Sequence, residues 1–374
     1  MTTSNETLFQ LLRLALGVTH EAPGPLTAAE WQKVYKSASR QSVVGLVYSA
    51  VSHLPRESRP PFEMLVQWAG KTEAIRGMNT RQNEESARLT RLFVAEGRKT
   101  SILKGQANAR LYPDPGCRQA GDIDIWIEGG RDGVIDLLLK TGLIDERPDS
   151  NPVGDKGWIV YHHIDLPKKS NDVEVEVHFR PSQGNENPFS NRRMQRWLEQ
   201  EILLSAPVPE GFNVPSAKFA LIMQLSHIQH HLFTEGVGLR QLCDYFLLLK
   251  AATSEERQEV SGLLKKFGLH RTGGAVMWLL QEVLGLEKSL MICAPDSQRG
   301  KWMLTEVMEG GNFGSFAERQ QYGTLKRELK RKQRQLALFR FDPTEIIWLL
   351  LNFAGRFIKS IPFRIKYGRV ALKG

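Results

Sequence analysis

Apolar positions recur every third or fourth residue across residues 6–16 and 28–53, the spacing of helices with one buried face. Thr27, directly before Ala28, Ala29 and Glu30, marks a helix start with a capping threonine. Pro55, Pro60 and Pro61 interrupt the pattern, and the proline-free stretch from Phe62 to Gly97, rich in Glu, Arg, Gln and Ala, predicts one or two further helices. At Thr100 the period changes. Ser101, Ile102 and Leu103 read as a short strand, and Gln106 to Tyr112 as a helix of about two turns closed by Pro113, Asp114, Pro115 and Gly116. Asp122 to Ile127 alternates strictly, with Asp122 and Asp124 on one face and Ile123, Ile125 and Ile127 on the other. A helix from Arg131 to Lys140 is stopped by Gly142. Two more alternating runs, Trp158 to Leu166 and Val173 to Phe179, are joined by the polar turn 168–171 and predict an antiparallel hairpin. In the second run Val173, Val175 and Val177 share one face, and Glu174, Glu176 and His178 the other. From Pro215 to about Leu286 the helical period returns, and it continues with breaks near Gly310 and Pro343.

This order predicts an α+β fold: a mixed β-sheet module flanked by helical N- and C-terminal regions. The boundaries fall at 1–98 for the helical N-terminal region, 99–210 for the α/β module, 211–325 for a helical C-terminal region and 326–374 for a basic amphipathic tail. With 374 residues and 41% apolar content, the chain can bury at least one full core. The N-terminus lacks a basic segment ahead of an apolar stretch, so no secretory signal is read and a cytoplasmic location is expected. Cys117, Cys243 and Cys293 form no C-x-x-C pair, which argues against both a disulfide framework and a thiolate zinc site. Net charge is +9, yet the segment from Lys326 onward holds 13 Lys and Arg against three acids, so the basicity is local to the tail.

An Asp-x-Asp on a strand sets two carboxylates on one face roughly 7 Å apart at the backbone. Nucleotidyl transfer needs such a pair. Its transition state requires the charge on attacking and leaving oxygens to be neutralised together, which two Mg²⁺ ions about 3.5–4 Å apart accomplish. A third carboxylate on a neighbouring strand completes the set and can orient or deprotonate the acceptor hydroxyl. Glu174 and Glu176 share a strand face, so either can fill that place. Alone, an Asp-Ile-Asp is more often a solvated strand face than a metal site.

The surrounding order is more specific. An apolar strand ends in Leu103-Lys104-Gly105; then come Tyr112-Pro113-Asp114-Pro115, Arg118, Gly121-Asp122-Ile123-Asp124, and, about fifty residues on, Glu176-Val177-His178. Over about residues 90–250 this resembles the uncharacterised bacterial nucleotidyltransferases, a branch of the DNA polymerase β-like nucleotidyltransferase superfamily. The resemblance implies a nucleotidyltransferase-type sheet with Asp122, Asp124 and Glu176 as metal ligands and catalytic carboxylates, Glu176 being favoured because it precedes His178 by two. It implies Mg²⁺, with Mn²⁺ as the alternative ion, and ATP or another nucleoside triphosphate as substrate. Lys104, Gly105, Arg118 and Gly121 are the expected triphosphate contacts: Gly105 allows close backbone approach and Arg118 a bidentate grip. The wider superfamily opens the short helix with Gly-Ser, whereas here Gln106 follows Gly105. The acceptor, whether protein, RNA or small molecule, is not readable.

Other features weigh less. His227 and His231 stand at i, i+4, a spacing that can hold zinc, but the bland reading is helix packing or an acceptor-pocket wall. Gly70-Lys71-Thr72 lacks the glycine and the preceding strand of a phosphate-binding loop, and Gly310–Ser315 reads as an ordinary loop. The apolar run from Ile346 to Gly355 is too short to span a bilayer. The tail therefore docks on the protein's own helices, lies on an anionic membrane surface or grips an RNA backbone. The rival functional reading is an inactive fold that binds nucleotide, RNA or membrane through this tail.

Overall fold

The computed structural model describes residues 3–148, 162–167, 173–311, 334 and 336–367. Four helices come first: α1 (Thr3–Ala15), α2 (Ala28–Arg40), α3 (Val44–Val51) and α4 (Phe62–Ala95). Thr27 caps α2 as expected; its side chain accepts the Glu30 N–H, and the Glu30 carboxylate accepts the Thr27 N–H. The apolar pattern over 28–53 is split into α2 and α3, because Ser42 turns into the left-handed region at φ +55°. The stretch after Pro61 is one 34-residue helix.

The module follows as β1 (Thr100–Ile102), α5 (Gln106–Ala109), β2 (Ile123–Ile127), α6 (Gly130–Lys140), β3 (His163–Asp165) and β4 (Val175–His178). The sheet order is β1-β2-β4-β3, with β2 parallel to β4 and both outer pairs antiparallel. The antiparallel pairing expected of the last two strands is present, although the turn 168–171 and Trp158 lie outside the described residues. The expected two-turn helix after Gly105 is corrected to a single turn. Past Ala109 the backbone tightens into i→i−3 bonds from Leu111 to Asn108 and from Tyr112 to Ala109 ahead of Pro113.

The remaining elements are α7 (Pro188–Glu201), the short strands β5 (Ala206–Pro207) and β6 (Asn213–Val214), α8 (Ala217–Thr234), α9 (Leu239–Ala251), α10 (Ser254–Leu263), α11 (His270–Leu284), α12 (Ser297–Gly310) and α13 (Pro343–Tyr367). The two sheet faces have different partners. Ile123, Ile125, Ile127, Val175 and Val177 pack with Val134, Ile135 and Leu138 of α6 and with Leu89 and Phe93 of α4. Each such buried aliphatic side chain contributes about 1.5–3 kcal/mol. Trp126, on the face of Asp124, instead joins the large core shared by α1–α3 and α8–α12, so the N- and C-terminal helical regions are one packed body around the sheet.

The start of α13 docks on α7: Ile346 is buried, Asn352 donates to the Glu186 carbonyl, and Trp348 meets Phe189 edge-on. Ile347, Leu350, Leu351 and Ile358 of the same helix are exposed. Among the described residues, no helix is long and apolar enough to cross a membrane.

Candidate active site

The strand alternation that buries Ile123 and Ile125 turns Asp124 to the opposite face, and the parallel register sets Glu176 directly beside it. Asp124 is 1% exposed. Its Oδ1 lies 3.1 Å from Lys104 Nζ and 3.1 Å from His178 Nε2, while its Oδ2 is buried with no hydrogen-bond partner. Glu176 Oε2 lies 3.3 Å from His178 Nε2 and 3.5 Å from His163 Nδ1. Glu174 is exposed.

Asp124 connects two features. It lines a pocket with Asp122, Lys104, Gly105, Arg118 and Gly121, walled by Gln224 and His227 of α8 and by Arg240, Gln241 and Asp244 of α9. It also forms, with Glu176 and His178, a group whose ligand atoms lie within 4.8 Å of one another. Asp122 belongs to the pocket but to no such group among the described residues, and Glu176 belongs to the group but does not line the pocket. Every residue expected at the site thus lies in one of these two adjoining features.

Burial works against the Lys104 ammonium, but Asp124, Asp122 and Glu176 outweigh it and keep Lys104 charged well above its ordinary range. Burial likewise disfavours the His178 imidazolium, and hydrogen bonds to Asp124 and Glu176 overcome this and push its pKa up to about 9. His162 is pushed down to about 2 by burial and by the neighbouring His178 and His163. Gly105 adopts φ +64°, and a Cβ there would stand 3.3 Å from the Asp122 carbonyl oxygen; a side chain would be strained and crowd the pocket floor.

Arg118 is tied down. Nε and Nη2 donate to the two oxygens of Asp244, each at 2.8 Å, Tyr112 Oη donates to Asp244 Oδ1 at 2.7 Å, and Arg118 Nη1 is buried without a partner. Burial opposes both charges, yet each partner holds the other ionised. Arg240 lines the pocket too, and its Nη1 donates to the Gln119 carbonyl at 3.2 Å. Burial first, and then the charge of Arg118, lower the Arg240 pKa.

No single-residue signal pointed to the role of α4. Its Asn79 donates to the Gly116 and Arg118 carbonyls, its Gln82 to the Gly121 carbonyl, and its Arg76 grips Asp114, so one helix face clamps the loop that leads into β2. His227 sits 3.5 Å from Lys104 Nζ and belongs to no group of metal-ligand spacing among the described residues; neither does His231. Gly70, Lys71 and Thr72 lie inside α4, as a helix rather than a phosphate loop.

Residues 27–285, more than half of the chain, match the family described as uncharacterised nucleotidyltransferase. No curated protein matches. Among solved structures, the chain is similar to the crystal structure of an antigenic nucleotidyltransferase-like protein from Paracoccidioides brasiliensis, at 15% identity and a TM-score of 0.32, over 58% of this chain and 95% of that one.

Proposed function

This chain belongs to the family of uncharacterised nucleotidyltransferases, and from that membership we propose that it transfers a nucleoside monophosphate from a nucleoside triphosphate to an acceptor hydroxyl, releasing pyrophosphate. The observation that carries the reading is Asp124, a carboxylate 1% exposed with one oxygen unpartnered, facing Glu176 across parallel strands. A buried carboxylate oxygen without a donor is costly, and a cation relieves that cost. The donor set fits a divalent cation: Asp124 and Glu176 stand at ligand spacing, and Asp122 would join them from the pocket side. When bound, such a cation neutralises charge developing on the phosphate oxygens.

The rest falls to the chain's own groups. Lys104 and Arg240 bring positive charge to the pocket wall, Arg118 lines the same pocket with its Nη1 unpartnered, and Gly105 leaves room for a phosphate against the backbone. The acceptor oxygen bonds to the α-phosphorus as the bond from that phosphorus to the bridging oxygen breaks; pyrophosphate leaves with the electron pair. Glu176 takes the acceptor's proton. The test is incubation with nucleoside triphosphates labelled at the α- or the γ-phosphate in a cell lysate. Label from the α-position alone must appear on an acceptor, and it must vanish with Asp124→Asn. Label from neither position sinks the reading.

We also propose that α13 meets an anionic bilayer surface rather than RNA. Four exposed apolar side chains on a helix within a segment of net positive charge suit the lipid interface, whereas a phosphate-backbone grip has no use for them.

A further inference from the structure

β4 carries a histidine two residues after its glutamate, on the same strand face. His178 is 5% exposed, and its ring packs beside the paired rings of His162 and His163, with centroids 5.3 and 5.2 Å away. So placed, it directs Nε2 at Asp124 Oδ1 and Glu176 Oε2. We infer that His178 supplies a nitrogen ligand, beside the oxygens of Asp124 and Glu176, to a divalent ion at this site, and that this ion is of the first-row transition class, such as Mn²⁺, rather than Mg²⁺. The inference rests on the proposed metal-dependent transfer at the same carboxylates and names the ion class it takes.

Three observations support it. The ligand atoms of Asp124, Glu176 and His178 all lie within 4.8 Å of one another, a spacing from which small side-chain movements close a coordination shell. Asp122, the all-oxygen alternative to His178, enters no such trio among the described residues. The histidine is also confined: it is buried, with two half-buried imidazole rings packed against it, so turning Nε2 away would require these rings to shift. Mg²⁺ demands oxygen ligands in near-octahedral array, while a mixed set of carboxylates and imidazole suits Mn²⁺, Fe²⁺, Co²⁺ or Zn²⁺. A histidine that only oriented the carboxylates would donate its Nε2 proton to them, and the same atom could not then ligate. Without an ion Nε2 carries the proton it shares with the carboxylates, and an ion binding there would displace that proton, so the two roles exclude each other at one nitrogen.

The experiment is Mn²⁺ titration of the full chain, followed by pulsed electron paramagnetic resonance of the bound ion. The wild-type protein is expected to show coupling from a directly bound ¹⁴N. His178→Gln should lose that coupling and bind Mn²⁺ at least about tenfold more weakly; His163→Gln should keep the coupling. Bound Mn²⁺ without ¹⁴N coupling in the wild type would overturn the inference while leaving a metal centre of oxygen ligands in place. Coupling lost in His163→Gln and kept in His178→Gln would overturn it as well. Absence of Mn²⁺ binding in the wild type would overturn both the inference and the metal-dependent reading beneath it.

Discussion

Arg118 and Asp244, 126 positions apart in the chain, meet in the interior through two parallel hydrogen bonds of 2.8 Å each. The pair fastens the loop leading into β2 to α9 and so ties the carboxylate strand to the pocket wall. Asp244→Ala would strand the Arg118 charge and the Tyr112 hydroxyl. The expected loss is about 3–5 kcal/mol, read from urea unfolding. Tyr112→Phe, which removes one donor to a carboxylate, should cost only about 1–2 kcal/mol. An Asp244→Ala protein as stable as the parent would mean that the fork does not hold the loop.

Asp122→Asn and Asp124→Asn are each expected to abolish transfer, with a loss of 10²-fold or more, on the order of removing an essential electrostatic group. Their stabilities should differ. Asp122 is half-buried at the pocket wall, so its change should leave unfolding nearly unaltered. Asp124 is the anion beside Lys104 and His178, and Asp124→Asn should cost more. Wild-type turnover in the double variant would sink the assignment.

Glu176 and Glu174 share a strand face, but Glu176 alone stands in the group with Asp124. Glu176→Gln should therefore lower kcat by about 10²-fold or more while triphosphate binding changes little. Glu174→Gln should act far less. The reverse ranking would transfer the role to Glu174.

What the sequence revealed follows from the range of each signal. The Asp-x-Asp face, the capping box at Thr27 and the stop at Gly142 are written in neighbouring residues, and the structure bears them out. The break at Ser42 and the single turn of α5 depend on packing and turn geometry that an apolar period does not encode. Helix α7 went unread, although Asn187 caps it and Pro188 opens it. The pocket was legible on its strand side and, on α8, only at His227, read as a pocket wall or as helix packing. Its other wall comes from α8 and α9, and the bond between Arg118 and Asp244 leaves no local pattern, because nothing short of the folded chain brings those residues together.

The C-terminal segment offers a separate test. Full-length protein should sediment with anionic vesicles and not with zwitterionic ones, with binding weakened by salt. Leu350→Glu combined with Leu351→Glu should abolish sedimentation without unfolding the protein, since both side chains are exposed. Salt-sensitive binding to a homopolymeric RNA that survives this double change, with no vesicle binding, would instead favour the RNA reading.

Glu345 makes the docking of α13 depend on pH. Its carboxylate, 2% exposed, accepts the backbone N–H groups of Glu186 and Asn187 at 2.9 and 3.2 Å, just ahead of α7. Burial pushes its pKa up to about 7 from an ordinary 4.5, and the two N–H groups recover only part of that shift. Nearby Asp342 is already engaged by Arg271 at 2.6 Å, while Glu186 adds negative charge on the α7 side. A carboxyl whose folded pKa is raised contributes stability that is fully present below the unfolded value and is lost as pH rises through the folded one. Stability should therefore fall between about pH 4.5 and 7, by at most about 3 kcal/mol from this group. Glu345→Gln keeps an acceptor oxygen and removes the ionisation, so it should flatten the slope and be the more stable protein near pH 8. Urea unfolding of both proteins across this range measures the difference, and parallel profiles would show that Glu345 does not govern how α13 is held.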